Sequence, residues 1–151
     1  MFRFYKVLLI LLPAFFHMQA GASVSMETRV VFSAKEKEKT VRLSNTGNQP
    51  VFVQVWLDKG DVNEDVSTID LPFVLTPAIF RMEPGAAQVL RIMHTGEPLP
   101  SDKESLYWLN VLDVPPKPLV EEGQGSMQLA IRTRLKMMYS CLLYTSPSPR
   151  D

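Results

Sequence analysis

The residue types that perform catalysis are nearly absent from this chain. It holds one cysteine, Cys141, and two histidines, His17 and His94. His17 lies in an apolar N-terminal run, which leaves His94 as the one imidazole a folded domain could use. A nucleophilic triad or a site of several histidines has nothing to be built from. A single thiol offers neither a disulfide nor a thiolate metal site. No phosphate-cradling loop and no nucleophile elbow occurs. The eight methionines could offer thioethers to copper. However, Met127, Met137 and Met138 fall inside a strand pattern, and the others are scattered. The chemistry left is that of binding, with no enzymatic activity, no cofactor and no metal expected.

Groups suited to binding do stand in patterns. Met127, Leu129 and Ile131 are spaced by two, so they point to one side of an extended segment. Taken by alternation alone, they face this domain's own core. Arg29 and Lys136, taken singly, read as solvated surface cations. Lys136 has the opposite parity to the three apolar residues, so strict alternation puts it on the other face.

The elements that must position these groups are strands. No stretch sustains a helical period, and short β-rich segments alternate with turn residues, the pattern of a sandwich or barrel. Seven strands are predicted, at 28–32, 39–44, 51–58, 79–82, 88–93, 106–114 and 127–139. The third is the clearest: Val51, Val53, Val55 and Leu57 share one face, and Phe52, Gln54, Trp56 and Asp58 the other. Residues 45–50 and Glu83-Pro84-Gly85 are turns, and the polar, acidic stretch 60–70 is an exposed loop. Pro115-Pro116 ends the sixth strand, because proline cannot donate to a ladder. The result is an all-β fold, a seven-stranded immunoglobulin-like sandwich. The usual disulfide of that fold is missing, and Trp56 is expected to supply core bulk instead.

The two ends differ in texture from this middle. Arg3 and Lys6 precede an apolar run over residues 7–16, and Ala20-Gly21-Ala22 follows with small residues, the layout of an export signal. The run is shorter than the roughly 20 residues a membrane-spanning helix needs. Cleavage is expected after Ala22, with Ser23 as the mature N-terminus. Residues 141–151 resemble the conceptual translation of a sequencing adapter, so the protein's own sequence is expected to stop near Tyr139. From Ser23 to Tyr139, 13 basic residues face 15 acidic ones, which is no nucleic-acid signature.

Four segments, in order, resemble the periplasmic pilus chaperones of the fimbrial chaperone–usher family. They are Thr28-Arg29-Val30-Val31-Phe32, the stretch from Thr76-Pro77 to Pro84-Gly85, the stretch from Asp102-Lys103-Glu104-Ser105 through Trp108-Leu109-Asn110 to Pro115-Pro116, and residues 131–139. The chain departs from the family at Lys103, where Arg is common, and at Met138, where Phe is. The family also continues past the final tyrosine with Arg-Pro and a second β-domain. The resemblance implies a periplasmic protein that holds incomplete pilus subunits by lending them a strand, then passes them to an outer-membrane usher. It makes 23–140 the first of two domains, with the short loop of rod-type systems. It assigns Met127, Leu129 and Ile131 to the lent strand, reversing the reading from alternation. It assigns Arg29 and Lys136 to the grip on the subunit's C-terminal carboxylate. Glu104, Ser105 and Asn110 then read as structural, and Trp108 as core or interface bulk. Pilus subunits and the usher are the implied partners, with no nucleic acid and no small-molecule substrate. A stand-alone secreted adhesion or pilin module is the competing reading.

Overall fold

Strands with one apolar face must set those faces against each other, and two packed sheets do so. The computed structural model describes residues 23–117 and 127–141. The expected leader and residues 142–151 of the expected tail lie outside them. Nine strands occur among the described residues: β1 (Val24–Ser25), β2 (Arg29–Ser33), β3 (Glu38–Asn45), β4 (Val51–Asp58), β5 (Phe73–Thr76), β6 (Ile79–Met82), β7 (Ala87–His94), β8 (Ser105–Val114) and β9 (Ile131–Ser140). One sheet has the order β1-β3-β7-β5 and the other β2-β9-β8-β4-β6. Every pairing is antiparallel except that of β2 with β9.

The core lies where the inward residues of both sheets meet. Val53 and Leu109 of one sheet and Val41, Leu43, Leu90 and Ile92 of the other are all fully buried. Phe32, Phe73, Tyr107 and Tyr139 pack as an aromatic cluster, with ring centroids 5.0–5.9 Å apart. The chain is thus an all-β, immunoglobulin-like sandwich. β4 and β6 have the predicted bounds, and four others agree within a residue or two. Two short strands, β1 and β5, add to the predicted seven.

Two expectations are corrected. The last strand begins at Ile131, not at residue 127. Its final rung with β8 joins Ile131 to Asp113, and β8 then runs into Pro115 and Pro116, so residues 127–130 find no ladder to join. Trp56 does not fill the core either. It alternates with the buried Val55 and Leu57 on β4 and therefore faces outward, half-buried.

Candidate functional site

The outward face of the five-stranded sheet gathers the charged side chains. On β9, Leu135, Met137 and Tyr139 turn inward and are buried, so period two sends Arg132, Arg134 and Lys136 outward. The parallel ladder of β2 with β9 sets Arg29 directly beside Lys136. The same rung continues through Trp108 on β8 to Asp58 on β4. The two cations assigned together by resemblance therefore share one rung, and both are exposed. The Lys136 ammonium lies 5.6 Å from the centre of the Trp108 ring.

Beside this rung is a buried polar network. Asp58 is 1% exposed and Asn110 is fully buried, so both need partners. Asp58 Oδ1 accepts hydrogen bonds from Gly60 N at 2.7 Å and Arg134 Nη2 at 2.8 Å. Its Oδ2 accepts one from Asn110 Nδ2 at 2.7 Å, and Arg132 Nη2 stands 3.4 Å away. Asn110 Oδ1 in turn accepts from Arg132 Nε at 3.0 Å and Nη2 at 2.8 Å, and from Arg134 Nε at 3.2 Å. The guanidinium of Arg132 covers Trp56 at 4.9 Å, and that of Arg134 covers Trp108 at 4.8 Å, both within cation–π range. One carboxylate thus serves two guanidiniums, and with Arg29 and Lys136 this face carries a surplus of positive charge.

The apolar residues assigned to the lent strand lie elsewhere, at and before the start of β9. Met127 is 80% exposed, Leu129 67% and Ile131 41%. They do not enter this domain's core, which removes the reading drawn from alternation alone. Ile131 shares the parity of the buried Leu135 and Met137, so Lys136 does face the opposite way. Asn110 is structural as expected, at the centre of the network. Glu104 accepts a hydrogen bond from Ser140 Oγ at 2.8 Å. Sequence reasoning passed over Asp58, Arg132 and Arg134. The available signal was three cations, Arg132, Arg134 and Lys136, at period two on one strand.

The family model for pili and flagellar-assembly chaperones, PapD N-terminal domain, matches residues 22–141. The chaperone protein FimB/FhaD of Bordetella pertussis is 48% identical over 116 residues, 74% of this chain and 48% of its own. The crystal structure of the Pseudomonas aeruginosa CupB2 chaperone superimposes with a TM-score of 0.68 at 41% identity, covering 79% of this chain and 56% of that one. The solved complex of the Salmonella enterica SafA pilin with the SafB chaperone matches with a TM-score of 0.66 at 31% identity, covering 80% and 55%. The chain spans about half the length of the curated relatives it matches. With a two-sheet sandwich and a family match over most of its residues, the chain belongs to the pilus and flagellar-assembly chaperones, in their PapD N-terminal domain.

Proposed function

We propose that residues 23–140 are the first immunoglobulin-like domain of a non-enzymatic periplasmic chaperone that holds pilus subunits and delivers them to an outer-membrane usher. In this reading residues 1–22 export the protein, a second β-domain follows in the native sequence, and residues 141–151 are not native. The related SafB chaperone is solved in complex with a pilin, which supports a pilus subunit as the partner.

The observation that carries the reading is the shared rung of Arg29 and Lys136. Neighbouring strands run about 4.8 Å apart, so the two side chains leave the sheet side by side and can reach one carboxylate together. Arginine offers a fork of donors and lysine a compact charge. The positive surplus around them favours an anion. The exposed Met127, Leu129 and Ile131 would then be covered by the subunit. Burial of three such side chains is worth about 5–9 kcal/mol before the costs of association.

The test uses the two-domain protein. Arg29→Ala and Lys136→Ala are each expected to weaken protection of a purified subunit against aggregation roughly tenfold or more. The melting temperature is expected to stay put, because both side chains are exposed. Wild-type protection by both variants would sink the carboxylate grip. Sequencing the gene past the Tyr139 codon tests the domain assignment separately: Arg-Pro and a second β-domain support it, and a stop codon favours the stand-alone module.

A further inference from the structure

A buried carboxylate is costly unless its oxygens are matched by donors, and one in this fold is only half matched. Asp113 is 4% exposed. Its Oδ2 accepts a 2.5 Å hydrogen bond from Ser23 Oγ, whereas its Oδ1 has no partner among the described residues. The residues beside it on the ladders are Val53 and Ile131, whose side chains have no donor to give.

Ser23, by contrast, is firmly placed. Its carbonyl accepts hydrogen bonds from Thr46 N at 2.7 Å and Thr46 Oγ1 at 3.2 Å. Gly47 leaves room for it: a Cβ on Gly47 would stand 2.9 Å from Ser23 Cβ, a distance real side chains avoid. The fold therefore holds Ser23 with its hydroxyl on a carboxylate whose other oxygen has no donor among the described residues.

We propose that Asp113 is the binding site for the chain's own α-ammonium group, formed when the leader is removed between Ala22 and Ser23. The inference rests on the export reading above. Hydrolysis of that amide adds one water. Its hydroxyl goes to the Ala22 carbonyl carbon, which becomes a carboxylate, and the Ser23 nitrogen leaves as an amine that is protonated at neutral pH. That nitrogen is joined through Cα and Cβ to the hydroxyl already touching Asp113. In the precursor it is an uncharged amide with a single N–H. After cleavage it is a cation with three, and it supplies the charged donor that Oδ1 lacks. Processing thus completes the fold at the end where β1 joins its sheet.

The full chain, secreted with its own leader, is purified and its N-terminus read by intact mass. Labelling with an amine-reactive ester, followed by peptide mass spectrometry, then compares the α-amine with the lysines. The expected result is a chain beginning at Ser23 whose α-amine labels about tenfold more slowly than in Asp113→Asn. A chain that still begins at Met1 overturns the export reading and the proposal with it, and a chain cleaved at another bond overturns the proposal alone. A chain beginning at Ser23 whose α-amine labels equally fast in both proteins overturns the ion pair alone. Should Asp113→Asn fail to fold, a variant with one alanine inserted before Ser23 keeps the carboxylate and displaces the amine. Its α-amine is expected to label at the faster rate, and equal protection there overturns the proposal.

Discussion

Replacing Asp58 by alanine removes the carboxylate that Arg132 and Arg134 share on the outer face, and its cost can be worked from the contacts. Three hydrogen bonds to Asp58, from Gly60 N, Asn110 Nδ2 and Arg134 Nη2, are 2.7–2.8 Å long. The fourth, from Arg132, is 3.4 Å and contributes little at that length. Removing one partner of a buried pair costs about 3–5 kcal/mol. Here the arginine side chains keep 21% and 30% exposure, so they can regain some hydration, whereas the Asn110 amide cannot. The expected loss is therefore about 2–4 kcal/mol. At roughly 4 °C per kcal/mol for a domain of this size, the melting temperature falls by about 8–16 °C. Trp56 and Trp108 lie under the two guanidiniums, so urea unfolding followed by tryptophan fluorescence reports on the network directly. The double variant with Arg134→Ala should lose less than the sum of the two single losses, with a coupling of about 1 kcal/mol or more. A loss below about 1 kcal/mol for Asp58→Ala, or strictly additive losses, would refute the view that this carboxylate organises the face.

Three further outcomes are expected. Burial pushes the Tyr107 phenol up, against an opposing hydrogen bond with Ser105. The folded state thus holds this proton more tightly than the unfolded chain, so the contribution is complete below the ordinary phenol value near pH 10. It is lost as pH rises through the raised value, and Tyr107→Phe should flatten that alkaline loss in denaturation curves; an unchanged slope counts against it. Gly85 sits at φ +73° with nothing within 4 Å of a Cβ, so Gly85→Ala should cost about 1 kcal/mol through the backbone alone. Asparagine, which tolerates that region, should recover part of the loss, and an alanine variant as stable as wild type would contradict the assignment. Leu129→Asp should leave stability within about 0.5 kcal/mol while weakening the subunit complex roughly tenfold or more; unchanged affinity would argue against strand donation.

The parts of the fold legible in the sequence are those where alternation is long and strict. Val51, Val53, Val55 and Leu57 announce β4, and the prolines at 115 and 116 announce the end of β8. β1, with two residues, is too short to show a period. Residues 127–130 continue the β-like texture of β9, yet texture cannot reveal that the partner strand has already ended. Trp56 misled because a large apolar side chain suggests the core, whereas its parity with Gln54 and Asp58 already placed it outside. The polar network was hidden for a different reason. Asp58 looks like an ordinary surface residue until the ladders bring it, with Asn110, under Arg132 and Arg134.

What places the two exposed cations on one rung is the core beneath them rather than any attraction of their own. β2 and β9 set Val30 beside Met137 and Phe32 beside Tyr139, and all four side chains are buried. A slip of β9 by one residue would turn Leu135, Met137 and Tyr139 outward and drive Arg134 and Lys136 into the core. Losing the burial of Leu135 and Met137 alone would cost about 3–6 kcal/mol, and an unpaired buried cation would add several more. Arg29 and Lys136 repel each other, so they contribute nothing to that register and merely inherit it. The face therefore holds two classes of cation. Arg132 and Arg134 are tied into the fold through Asp58 and Asn110, so their loss shows first as instability. Arg29 and Lys136 are carried by a register that apolar contacts enforce and have no ion pair among the described residues, so their replacement is expected to leave the sandwich as stable as before.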